Sequence, residues 1–238
     1  MGVSKQQAAE NRAAITSAAE ALFRERGVDA VGLVELMAAA GMTRGGFYNH
    51  FASKDALIEA VLAKAMADGY ANLAAAVESS LSRGGDPLAD QFAWYLSPEH
   101  RDDIDHGCPN AGFAGDARRL DPGTRDRYAQ GLATHLATFT EMVREARSTG
   151  PDRVPDDSTD PGAHRSQALA LVSEMIGALV LSRAVLDSDP VLADEILDSA
   201  RTDLLGRRAA EIARTQQAAD SGEAFTRDTD VRGGCARR

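Results

Sequence analysis

Arg44, Tyr48, Asn49 and His50 bring hydrogen-bonding side chains into one short stretch, with Thr43 just before them and Ser53-Lys54 just after. Phe47 and Phe51, four residues apart, share a helix face and would anchor that helix to a small core, leaving the polar set to project elsewhere. A short helix rich in donors and acceptors and held up by its neighbours is what a DNA major groove accepts. Gly45 and Gly46 stand side by side in the same helix, at a cost of up to ~1 kcal/mol each relative to Ala. A core hairpin gains nothing from them, whereas a helix pressed against DNA gains close backbone approach. Without those glycines and the rim of polar groups, an ordinary helical hairpin would serve as well.

The elements that must position this set can be read around it. Leu33 to Ala40 is a short apolar helix, Gly41 breaks it, and Thr43 is expected to cap the next through its side-chain oxygen, giving a helix-turn-helix. A first helix from about Gln6 to Arg26 carries Ile15, Ala19, Leu22 and Phe23 as an apolar stripe. Ser53 can cap a long fourth helix bearing Leu57, Val61, Leu62, Met66, Leu73 and Val77. Arg83-Gly84-Gly85-Asp86-Pro87 is a break, with Asp86 as cap and Pro87 in the first turn of a helix that carries Leu88, Phe92, Tyr95 and Leu96. Asp121-Pro122 opens another long helix with Tyr128, Leu132, Leu136, Phe139 and Val143 on its stripe, ending near Thr149-Gly150-Pro151. The stretch 149–162, rich in Asp, Pro, Ser, Thr and Gly, reads as a mobile connection. From Ala168 to Leu186 the chain is apolar on nearly every side, so that helix must be buried on two faces, one against its own core and one against something else. Asp189-Pro190 opens a last helix with Val191, Leu192, Ile196, Leu197, Leu204 and Leu205, and residues 215–238 read as a disordered polar tail. There is no internal repeat.

The 238 residues are 44% hydrophobic but only 5% aromatic. Alanine, leucine and arginine are abundant and aromatic residues sparse, which predicts an all-α chain. No apolar run approaches a membrane span and no secretory leader is recognisable, so a cytoplasmic protein is expected. The net charge of −10 is unevenly spread: residues 1–54 hold six basic and five acidic side chains, the remainder 20 against 31. The acidic part is repelled by DNA and helps turn the basic end towards it; weak non-specific binding and steep salt dependence follow. Cys108 and Cys235 match no metal or redox spacing. There is no phosphate loop, nucleophile elbow or metal-ligand cluster, so neither an enzyme nor a cofactor or metal is expected.

Ile15, Ala18-Ala19, Leu22-Phe23 and Gly27, then Leu36, Gly41 and the cluster Phe47-Tyr48-x-His50-Phe51-x-Ser53-Lys54-x-x-Leu57, resemble the DNA-binding end of the TetR family of bacterial transcriptional regulators. The sequence departs from the family pattern at Gly32, where a hydroxyl residue usually caps the second helix and reaches a phosphate. The resemblance implies a three-helix DNA-binding domain over 1–54 and a ligand-binding and dimerisation domain over 55–214. It implies that Arg44 reads bases, that Asn49 reads a base edge, and that Thr43, Tyr48, His50 and Lys54 hold phosphates and sugars. His50 alternatively packs between helices. The apolar helix 168–186 and its successor resemble the family's dimerisation pair, although a central helix of a monomer would show the same pattern.

By the same resemblance the middle of the chain houses a pocket for a small-molecule effector. Candidate lining residues are Phe92, Trp94, Tyr95, Phe113, Phe139, Met142 and Met175, with Asn110, His135 and Glu174 as polar fixtures. Trp94 stands out because it lies off the Leu88-Phe92-Tyr95 stripe; for the rest plain core packing is the alternative, and for Glu174 an arginine partner such as Arg183. His106-Gly107-Cys108-Pro109-Asn110-Ala111 resembles a Gly-Cys-Pro element of some family branches, where Cys108 at a helix start could sense electrophiles or oxidants. The alternative is a small buried apolar residue. The expected function is a homodimeric repressor released from a palindromic DNA operator by a small molecule. The other reading is a helical dimer that binds a small molecule with vestigial DNA contact, favoured by Gly32.

Overall fold

Ser4 starts the first helix: its side-chain oxygen accepts the Gln7 amide at 3.1 Å, and α1 runs Lys5–Arg26. The computed structural model describes residues 4–148 and 161–229, all in helices and their connections with no strand among them. Gly27, at φ 81°, ends α1, and α2 (Leu33–Ala39) begins after Gly32, which offers no side chain to cap it. Gly41, at φ 71°, makes the turn that follows, a backbone conformation that a side chain would oppose.

The recognition segment Arg44–Asn49 is a 3₁₀ helix, and the Thr43 hydroxyl does not cap it, contrary to expectation. The reason is local: the Gly46 amide, the natural recipient, is already held by the Thr43 backbone carbonyl at 3.0 Å. The other expected caps form. Ser53 accepts the Ala56 amide at 3.1 Å to open α3 (Lys54–Ser82), and Asp86 accepts the Leu88 and Ala89 amides at 3.0 and 3.2 Å to open α4 (Pro87–Tyr95). A short α5 (Pro98–Asp102), unanticipated from sequence, is capped by Ser97, which accepts the His100 amide. Then follow α6 (Pro109–Ala117), α7 (Pro122–Ser148), α8 (Pro161–Val185) and α9 (Pro190–Thr229). Helix α9 continues through the start of the stretch read as a tail from 215, whose Ala, Gln and Glu are good helix formers; 230–238 lie outside the described residues. The connection expected over 149–162 lies outside them too, except for the first turn of α8.

Two apolar cores share α3. The first joins Ile15, Ala19 and Phe23 of α1 to Leu36, Met37, Phe47, Phe51 and the α3 residues Leu57 to Met66, closed by Phe113 of α6 and Leu120. The second joins Leu73 of α3 to α4, α7, α8 and α9 through Phe92, Leu96, Phe139, Met175, Leu179 and Leu197. Helix α3 thus reaches from the recognition segment into the larger half. Contrary to the expectation that no apolar run approaches a membrane span, α8 among the described helices is long and apolar enough to cross one, but it packs along α7 and α9.

Candidate DNA interface and ligand cavity

Phe47 is fully buried, stacked 5.8 Å from Phe51, and this anchor fixes which neighbours face out. Thr43, Arg44, Gly45, Tyr48 and Asn49 are exposed, while Gly46 and His50 are half-buried. A Cβ added at Gly45 would meet nothing within 4 Å, and one at Gly46 only the end of Met37. Neither glycine has a positive φ, so the fold itself requires neither. The segment is braced from α1, where Arg12 donates to the His50 carbonyl and lies 4.0 Å over the Phe51 ring. Lys54 is half-buried and donates at 2.5 Å to the Val28 carbonyl, tying α3 to the α1–α2 loop while it stays at the polar rim.

Helices α3, α4, α6, α7 and α8 with the loop after α5 surround a cavity of about 860 Å³. Of the residues expected there, Trp94, Tyr95, Asn110, His135, Phe139 and Met175 line it, as does Cys108. Four lie elsewhere. Phe92 points to the opposite side of α4, into a smaller hollow of about 220 Å³ against α8 and α9. Phe113 belongs to the first core, Met142 is buried in the second, and Glu174 pairs with Arg207 of α9 rather than with Arg183. Asn72, Gln91, Asp103 and His106 line the cavity unannounced. Asn72 and Gln91 are polar residues beside apolar stripes, a signal indistinguishable from a solvated face until helices are paired.

Asn110 Oδ1 is buried with no hydrogen-bond partner among the described residues, while the Tyr95 hydroxyl, also buried, has the Cys108 side chain beside it. Burial, followed by the neighbouring Cys108, pushes the Tyr95 hydroxyl well up, so it stays protonated. Burial also pushes the Tyr128 hydroxyl up to about 12; it donates to the Asn110 carbonyl at 3.0 Å and holds the start of α6. His100, 2% exposed, sits against the Trp94 and Tyr95 rings at 4.3 and 4.6 Å. Its Nδ1 lies 2.7 Å from the Tyr95 carbonyl and so must donate, while Nε2 accepts the Cys108 amide at 3.2 Å. The ring is therefore neutral; burial pushes its pKa down, with Arg183 and Arg24 adding to the effect. Cys108 is half-buried at the start of α6, and its side chain makes no capping bond. Cys235 lies outside the described residues.

The helix-turn-helix region, residues 15–61, matches the model of the bacterial regulatory proteins of the tetR family. The chain is 41% identical over 170 residues to the HTH-type transcriptional regulator TtgR of Pseudomonas putida, covering 71% of this chain and 68% of that protein. It is 44% identical over 61 residues to the HTH-type transcriptional repressor BepR of Brucella suis, 26% of this chain and 29% of that one. Among solved structures, reduced E. coli NemR superposes with a TM-score of 0.65 at 21% identity, covering 82% of this chain and 95% of its own. A TetR regulator from Chloroflexus aurantiacus gives 0.67 at 22%, covering 84% and 95%. The structures establish the fold, and the relatives do not favour a binding protein with vestigial DNA contact. The chain belongs to the TetR family of bacterial regulatory proteins: it is a ligand-responsive, DNA-binding transcriptional regulator.

Proposed function

We propose that the protein is a cytoplasmic, homodimeric repressor that holds a palindromic operator and releases it when a small molecule occupies the cavity. The observation that carries this reading is the course of α3, which begins beside the exposed Arg44–Asn49 set and goes on to form a cavity wall at Gly69, Asn72 and Leu73. Arg44 reads a base edge, in the way that arginine pairs guanine O6 and N7, and Asn49 reads another. Thr43, Tyr48, His50 and Lys54 hold phosphates and sugars, and Gly45 and Gly46 let the backbone come close. The exposed apolar side chains Val180 and Leu181 of α8, with Val191 and Leu192 of α9, support a two-fold interface that pairs two recognition segments.

The effector is a largely apolar molecule of aromatic size held against Trp94, Phe139 and Met175. Tyr95 and Asn110 are among the polar residues of the lining that would orient it. His135 is a further polar fixture, and Cys108 opens the same wall to electrophiles. Phe92, Phe113, Met142 and Glu174 lie away from the cavity and do not touch the effector. To swing the protein from mostly bound to mostly released, the effector needs about 5.5 kcal/mol of differential affinity.

The test is binding to the DNA flanking the protein's own gene at two salt concentrations, with Arg44→Ala for comparison. Tight, salt-sensitive binding to one palindrome, weakened by the substitution, is the expected result. Weak binding that is equal on every sequence would refute the reading.

A further inference from the structure

We infer that Arg24 is a positioning residue that couples the cavity to the DNA-binding helices through the carbonyl of Gly107; this rests on the function proposed above. Arg24 belongs to α1, yet its side chain, 3% exposed, reaches across to the loop that closes the cavity. One arm of its guanidinium donates to the Gly107 carbonyl at 2.5 Å, and the other donates to Glu20 at 2.8 Å. Glu20 in turn accepts from Lys64 of α3 at 3.0 Å. One fork therefore joins α1, α3 and the cavity loop, and its geometry depends on both arms being engaged.

The loop has no slack to absorb a displacement. Gly107 lines the cavity, and a Cβ there would fall 2.7 Å from the Asp103 carbonyl and 2.9 Å from Arg183 Nη2. The next residue, Cys108, gives its amide to His100, whose ring lies against Trp94 at the cavity wall. Arg183, near the end of α8, grips the last turn of α5, where the loop begins, by donating to the Arg101 and His100 carbonyls at 2.8 and 2.9 Å. An occupant that shifts Trp94 and His100 moves a loop fixed to α8 on one side and to α1 on the other, so either α1 follows or the Arg24 contact breaks. The Arg24 Nε is buried with no hydrogen-bond partner among the described residues, so the present pairing leaves one donor unmet.

Coupling between two binding sites is reciprocal, so DNA must alter the cavity as the cavity alters DNA. Trp94 is the chain's single tryptophan and lies at the cavity wall, so its emission reports there without any effector. The protein is titrated with a labelled duplex that it has itself selected from random DNA, reading duplex anisotropy and Trp94 emission together. In the wild type the emission shifts with the midpoint of binding. Arg24→Gln and Arg24→Lys, neither able to hold Glu20 and Gly107 on two arms, bind the duplex within about threefold of wild type but lose most of the shift. The lysine variant keeps a charge beside Glu20 and guards against failure of the glutamine variant to fold. An undiminished shift in either folded variant overturns the inference. So does wild-type binding without a shift, or a folded variant that no longer binds the duplex, which would make Arg24 a support of the DNA-binding end alone. Failure to select any duplex refutes the proposed function, and this inference with it.

Discussion

Gly45 separates what the fold needs from what DNA needs. Its added Cβ meets no atom of the described residues within 4 Å and its φ is not positive, so Gly45→Ala should leave thermal stability unchanged or raise it by up to ~1 kcal/mol. The same methyl group would stand between the backbone and the duplex and should weaken operator binding by about tenfold, or about 1.4 kcal/mol. Parallel melting and duplex-binding curves would check this; equal losses in both would show that the glycine serves the fold. His100 yields a prediction of a different kind. Its folded pKa lies below its ordinary 6.5, so the stability that the neutral ring contributes is complete above that pH. That stability is lost as pH falls further, because the unfolded chain takes up a proton that the buried ring resists. The melting temperature should drop as pH falls below about 6.5, more steeply in wild type than in His100→Gln. Identical slopes would mean that other groups set the acid limit.

At the scale of elements, the signals that could be read were those made by neighbours in sequence. Ser53 and Asp86 declare the starts of α3 and α4 because a cap needs only amides two or three residues away, and both caps form. Thr43 carries the same signal and fails, because the segment it opens is a 3₁₀ turn already closed by its own carbonyl. The cavity was half legible. Trp94 betrayed itself by standing off the α4 stripe, but the same periodicity could not say that Phe92 faces α8 and α9, nor that Phe113 serves the first core. Those assignments depend on which helices meet, and the closest approaches are set at glycines with no local signature: a Cβ at Gly69 would fall 2.9 Å from Pro109, and one at Gly131 2.6 Å from Met66. Lys54 has a double commitment of the same non-local origin. Because its ammonium holds the Val28 carbonyl, Lys54→Met should cost about 1–2 kcal/mol of stability as well as operator affinity. Arg44→Ala, at an exposed position, should change stability by less than about 0.5 kcal/mol. Denaturant midpoints of the two variants would test this, and equal midpoints would show that the Val28 contact contributes nothing.

For the whole molecule, the question is what covers the apolar side chains that the single chain leaves in water. Leu181 is 58% exposed and Val191 76%, and with Val180 and Leu192 they lie on the adjacent helices α8 and α9. These two helices are locked to each other by the buried Ser182 hydroxyl, which donates to the Ala193 carbonyl at 2.8 Å, so they present a fixed surface rather than two loose ones. A face of this kind next to an acidic body suits a second copy better than DNA, since the excess of acidic residues outside 1–54 repels phosphates while apolar burial is indifferent to it. Leu181→Glu puts a carboxylate where each copy would meet the other, close to its own symmetry mate. Light scattering should then show one chain per particle where the wild type shows two, with helical content unchanged. Operator affinity should fall by roughly 10²–10⁴-fold, because a lone chain forfeits the effective concentration that the first bound half-site gives the second. The salt dependence should flatten at the same time, since half the phosphate contacts are gone. A variant that remains a dimer with full affinity would place the two-fold axis on another face and leave this patch to a different partner.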